Sequence, residues 1–378
     1  MDMAQQSYFC LLTALQLSIL PNLEFLSIDL YDGLDGFGSR LLNSGELLLP
    51  YPYLPQVVAA HPSHFARLST IVFLSPYHYR QDSLGLEQVS FLFPVLTNNR
   101  VAFFDRLLGE KDNRYQEPHP PAPSPELGWP ALPSLEEIYF SPCARPSDPA
   151  PLVAISKLMQ RCSQLKKLVY WHKYPGRKSP NSFSPIALVE AILPAKHTLL
   201  HLEMYCNSAK IPLFPIQTLV DSRLREFTGL KTLVVDEEIF CQHWLSDSCQ
   251  DSCLVDILPA GVSSLTVRIH DKYKVVPDIV RLGRDVASGR YSRLSRLQVY
   301  VLRDVAGPLD PYNFDELLDV FDSEEYFLYG VQSGQWQQAI QALADTIRPT
   351  VVQAFNGTDV AVKAEYLYEV TVSEEQRL

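Results

Sequence analysis

Apolar residues recur along the chain in one short figure: an apolar position, two free positions, a second apolar position, one free position and a third. It reads Leu23, Leu26 and Ile28 in "PNLEFLSID", Leu135, Ile138 and Phe140 in "LPSLEEIYF", and Leu230, Leu233 and Val235 in "TGLKTLVVD". Its first position falls at Leu23, Leu68, Leu135, Leu165, Leu199, Leu230, Val262 and Leu294, with a weaker copy in "NRVAFF" starting at Asn98. Successive intervals are 45, 30, 37, 30, 34, 31, 32 and 32 residues. A near-constant interval over the last five marks stacked supersecondary units.

Local periodicity says what each unit contains. In "SSLTVRIHD", Leu265, Val267 and Ile269 alternate with Ser264, Thr266, Arg268 and His270, the two-residue period of a strand; "SRLQVYVLR" behaves alike through Leu297, Val299 and Val301. Between strands, helical spacing predicts helices over 151–162, 184–193 and 276–288, several of them starting beside proline. One strand and one helix cannot bury their apolar faces alone, so neighbours stack, with strands in a parallel sheet and helices on its other side. A helix is wider than the roughly 4.8 Å strand spacing, so the strand side is expected to curve inward. The β-branched strand excludes the two-helix tetratricopeptide unit of similar length.

These residues resemble the leucine-rich repeat proteins, and more narrowly the irregular long-repeat arrays of fungal F-box-type proteins. "LTALQLSILPNLEFLSI", an apolar helix running into Leu-Pro-Asn-Leu and a strand, carries the resemblance best. The resemblance implies an α/β fold, a leucine-rich-repeat solenoid shaped as a horseshoe, with a concave parallel sheet and convex helices. It also implies a non-enzymatic protein-interaction module, used as the substrate-recognition part of a ubiquitin-ligase adaptor. The chain departs from the family pattern in three ways. Asparagine or cysteine follows the figure only at Cys143 and Asn207, the period exceeds the usual 20 to 29 residues, and no F-box helical module is recognisable before residue 7.

The array is expected to occupy 1–303. Two loop insertions interrupt it: 31–63, with glycines and prolines, and 109–134, with the proline-rich "EPHPPAPSPELGWP". An acidic insertion spans 304–334, and 335–378 supplies a closing helix, "QWQQAIQALADTI", and strand, "DVAVKAEYLYEV".

Composition fits a folded chain: 378 residues, 47% hydrophobic and 11% aromatic, with 29 prolines placed mainly in loops. Seven cysteines without framework spacing point to a reducing, intracellular location, cytoplasmic or nuclear. The apolar stretch "YFCLLTALQLSIL" has no Lys or Arg before it, so neither a signal peptide nor a membrane span is expected there. The net charge of −11 is uneven. Residues 151–303 hold 21 Lys and Arg against 13 Asp and Glu, whereas Asp304 to Ile347 contain nine acids and no base. That asymmetry suits an interaction surface as well as a solvated face.

No catalytic constellation, cofactor motif or small-molecule site emerges. His197 and His201 in "HTLLH" have zinc-helix spacing, yet Thr198 stands where a metalloprotease needs Glu. A strand would hold their side chains about 13 Å apart. Cys241, His243, Cys249 and Cys253 form the stronger metal candidate, the basis of an alternative reading as a metal-dependent enzyme. Against it, Cys241, Leu245 and Cys249 recur at helical spacing, as small buried apolar groups do. "LKKLVYWHKYPGRK" interleaves bases with aromatics, as single-strand binders do, but a pI near 5.3 weighs against nucleic acid.

If the leucines point inward, alternation leaves the intervening residues for a protein partner. The strongest contact types in that row are Tyr139, Lys167, Trp171, His201, Tyr205, Asp236, Arg268, His270, Arg296 and Tyr300.

Overall fold

The computed structural model describes residues 23–29, 58–60, 65–74, 86, 90–105, 129–143, 150–173, 185–207, 223–240, 253–269, 275–302, 345 and 347–367. Ten strands form one sheet in chain order. They are β1 Phe25–Asp29, β2 Thr70–Leu74, β3 Val101–Asp105, β4 Glu137–Cys143, β5 Lys167–Lys173, β6 His201–Asn207, β7 Thr232–Asp236, β8 Ser264–Ile269, β9 Arg296–Leu302 and β10 Ala361–Leu367. The described helices include α1 Ala150–Arg161, α2 Pro185–Ile192, α3 Glu237–Phe240, α4 Cys253–Ile257 and α5 Val276–Ala287, and a further helix covers 347–354. The fold is α/β, and every described strand pairing is parallel. No helix among the described residues is long and apolar enough to cross a membrane. Two compact units, Met1–Glu203 and Met204–Leu378, divide the chain, the boundary falling within β6.

In the first unit the strands join in a fixed register, Thr70 beside Val101, Val101 beside Glu137 and Glu137 beside Lys167. One step repeats before each strand. The Glu24 carbonyl accepts from the Ser69 and Thr70 amides, Ser69 from Arg100 and Val101, Arg100 from Glu136 and Glu137, Glu136 from Lys166 and Lys167, and Lys166 from Leu200 and His201. Such repetition is what equal spacing of like sequences demands. On the core face Ile71 and Phe73, Ala102 and Phe104, Ile138 and Phe140, Leu168 and Tyr170 are all buried. The rings at its third position stack from strand to strand, Phe73 on Phe104 at 5.3 Å and Phe104 on Phe140 at 5.4 Å. Phe93, in the 3-10 segment Ser90–Asn98, sets its edge against Phe104 and against Trp129.

Helices α1 and α2 pack together and bury Ala154, Ile155, Leu158 and Met159 from one, and Leu188, Val189 and Ile192 from the other. The Leu132 amide caps the last carbonyl of α1, Arg161 O, at 2.8 Å, satisfying a group the helix cannot satisfy itself.

The weaker copy of the repeat corrects the sequence reading. Val72 pairs with Phe103 and Ile71 with Ala102, so the position matching Leu68 is Asn99, not Asn98. A one-residue shift in a strand exchanges its faces: Ala102 and Phe104 are in the core, while Val101 and Phe103 are on the other side. The interval from Leu68 becomes 31 residues and the next 36.

In the second unit β7, β8 and β9 keep the same arrangement, with Leu233, Leu265 and Leu297 in register and fully buried. The expected terminal strand is present as β10 beside β9; of the helix expected over 335–347 only 345 and 347 are among the described residues, and the described helix runs on to 354. Helix α5 ends as helices commonly do, with Gly289 at φ 86° just past Ser288 and its amide bonded to Val286 O at 2.9 Å. Gly283 of α5 lies so close to the neighbouring helix that a Cβ there would meet Ala354 O at 2.3 Å. Tyr291 ties the unit together from beneath, donating its hydroxyl to Val255 O at 2.7 Å; burial raises its pKa above the usual phenol value.

The helices expected at 151–162, 184–193 and 276–288 correspond to α1, α2 and α5. The insertion expected at 31–63 and the acidic segment at 304–334 lie outside the described residues, apart from 58–60. Cys143 and Asn207 close β4 and β6.

Candidate functional site

Strand alternation fixes which side chains leave the core, and in the first unit these form a mixed aromatic and charged cluster. The Phe103 ring stacks on Tyr139 at 4.3 Å between centroids and 13° between planes. The Tyr139 hydroxyl donates to Glu137 Oε2 at 2.7 Å, and Lys167 Nζ lies 5.0 Å from the Tyr139 ring centroid. Lys167 Nζ is 3.6 Å from Glu203 Oε1, which also meets His201 Nε2. Tyr139, Lys167, Trp171, His201 and Glu203 are each half-buried, so their outer surfaces remain accessible. Burial, the bond to Glu137 and the charges of Glu137 and Glu203 push the Tyr139 hydroxyl far above the ordinary phenol value. Tyr139 is therefore a neutral hydrogen-bond donor throughout the physiological range.

Just before these strands runs an exposed ionic ladder. Glu136 accepts from Arg100 at 2.8 Å and from Lys166 at 2.9 Å, and those two bonds hold its carboxyl below the usual carboxylate range. At such exposure the ladder contributes little to stability.

On the same strand positions of the second unit, Asp236 and Arg268 differ from the sequence expectation. They occupy the non-core face, as alternation requires, but lie against each other, Arg268 Nε 3.2 Å from Asp236 Oδ1, at 7% and 0% exposure. Arg268 also lies over the Tyr205 ring at 4.5 Å. Two opposite charges brought close in a poorly hydrated setting neutralise each other first, so neither presents a free charge to a partner. Beside them a bonded chain runs from Thr266 Oγ1 to Gln298 Oε1 and from Gln298 Nε2 to Tyr300 Oη. Tyr205 and Tyr300 are half-buried and Arg296 is exposed. His270 lies outside the described residues.

Sequence reasoning missed Phe103. The slipped frame had assigned it to the core, although a 31-residue step from Leu68, matching the later intervals, was the available signal.

The other sequence candidates separate. His201 opens β6, but His197 is in the turn before it rather than in the strand. Cys253 opens α4, while Cys241, His243 and Cys249 lie outside the described residues. Among the described residues no three His, Cys, Asp or Glu side chains converge in a way that would hold a metal ion. In the first unit a strand ladder displays stacked rings beside paired charges. No protein-family model matches the chain, and neither a curated protein nor a solved structure shows significant similarity to it.

Proposed function

We propose that this chain is a leucine-rich-repeat-type module that binds another protein on the non-core face of its sheet, without catalysing a reaction. The observation that carries the reading is the Phe103–Tyr139 stack with Lys167 over Tyr139 and Glu203 and His201 beyond it, and with Trp171 on the same face of β5, all raised on strands whose opposite face is locked in the core. Aromatic surface beside partly dehydrated cations is the composition that concentrates binding energy, and parallel strands hold it without an ordering cost on association. Taken by itself, the second unit offers Tyr205, Arg296 and Tyr300 on the same face of its own strands as further proposed contacts. Asp236 and Arg268 form a structural pair beside Tyr205. The likeness of the repeat to F-box-type arrays adds a narrower proposal, that the bound protein is a ubiquitin-ligase substrate in the cytoplasm or nucleus.

The test is affinity capture from native cells with the full chain and with a Tyr139→Ala, Lys167→Ala, Trp171→Ala variant whose thermal unfolding matches the parent. Loss of a specific protein from the variant supports the binding face, and capture unchanged by the triple substitution contradicts it. Recovery of a cullin or its adaptor supports the ligase role; specific capture in their absence removes that narrower proposal and leaves the binding module.

A further inference from the structure

A second surface lies in the other unit, on helices rather than strands. Val276, Pro277, Val280, Arg281 and Arg284 of α5, with Thr350 of the neighbouring helix, line an open cleft of about 340 Å³. That volume is at the low end of what encloses a ligand, enough for one side chain with its flanking backbone. Its floor is apolar, with Val276 and Val280 half-exposed and Pro277 exposed. Its rim is cationic, because Arg281 and Arg284 are one turn apart on α5 and both exposed.

Among the described residues the charge on that rim is only partly met by nearby carboxylates. Among the described residues no carboxylate pairs with Arg284. The carboxylate that Arg281 reaches among the described residues is Asp285, at 3.6 Å, and the same carboxylate is held more closely by Arg290 at 2.7 Å. Meanwhile Asp278, the acid in the first turn of α5, is wholly buried. The close approach of Gly283 to Ala354 fixes the two helices that bound the cleft, so its shape is set before anything binds.

We propose that this cleft docks an acidic protein segment, in which an aliphatic side chain enters against Val276 and Val280 while carboxylates on either side pair with Arg281 and Arg284. The guanidinium fork matches a carboxylate in two hydrogen bonds, and an apolar floor beneath it lowers the local dielectric. This surface is independent of the strand-face reading.

The probe is a fluorescein-labelled synthetic peptide with one leucine flanked on each side by two glutamates, titrated by anisotropy against the full chain at low ionic strength. Saturable binding is expected, weakened roughly tenfold or more by Arg281→Gln with Arg284→Gln, and also by Val280→Asp. An Arg293→Gln, Lys231→Gln variant removes the same charge elsewhere in the unit, at two exposed positions, and is expected to bind as the parent does. Absence of saturable binding, insensitivity to the Arg281 and Arg284 changes, or equal weakening by the Arg293 and Lys231 changes would each overturn the proposal.

Discussion

At the residue scale, two buried polar groups have opposite consequences. Asn99 occupies a leucine position of the repeat with no exposed surface, and neither its Oδ1 nor its Nδ2 has a hydrogen-bond partner among the described residues. Unpaired buried amides cost about 1–3 kcal/mol, so Asn99→Leu is expected to stabilise the chain by that order, read as a higher urea midpoint with unchanged slope. Asp236 is the reverse case. Removing it as Asp236→Ala strands Arg268 in a buried site, with an expected loss of about 3–5 kcal/mol, whereas surface pairs such as Arg223 with Glu226 are worth far less. A milder expectation concerns Cys162, whose thiol burial pushes up to about 12 and whose Sγ–H points to Leu158 O at 3.2 Å. Its peptide should resist iodoacetamide at pH 8 in the native protein and react in urea, as peptide mapping would show.

Neither Asn99 nor the Asp236–Arg268 pair was legible in the sequence. Asn99 was missed because Val101 and Phe103 imitate the apolar figure one residue early. Asp236 and Arg268 were placed on the right face, but nothing in either strand alone says that register brings one beside the other. Face follows from a period of two; partnership follows from pairing between strands 32 residues apart.

At the element scale the sequence was more informative. Alternation in "SSLTVRIHD" and "SRLQVYVLR" located β8 and β9, and apolar spacing located α1, α2 and α5, because these segments bury one continuous face and repeat at a constant interval. What periodicity cannot supply is how closely elements approach. Gly283 carries that information. Gly283→Ala drives a methyl into the Ala354 carbonyl, and the helices must separate, an overpacking cost of about 1–3 kcal/mol. A cost below about 0.5 kcal/mol in urea unfolding would mean that the contact relaxes freely. The same variant should alter the cleft beside α5, so peptide binding there offers a second reading of the same displacement.

At the scale of the whole chain, ten strands in sequential order follow from repetition alone, since each unit needs its neighbours to bury what it cannot bury itself. The account therefore assigns stability and recognition to opposite faces of the same strands. In the first unit the core face carries Ile71, Phe104, Phe140 and Leu168, and the outward face carries Phe103, Tyr139, Lys167 and Trp171. The proposed binding face was legible only to the extent that alternation names the outward residues; the pairing of Phe103, Tyr139 and Lys167 into a stacked and ion-linked cluster required the register.

Hydroxyl-radical footprinting of the full chain, alone and with a captured partner, tests this division most directly, because it reports side-chain accessibility residue by residue. The account predicts that partner binding lowers oxidation of Phe103, Tyr139 and Trp171 while leaving exposed residues of α1, such as Val153, unchanged. Protection at α1 with no change at Tyr139 and Trp171 would contradict it.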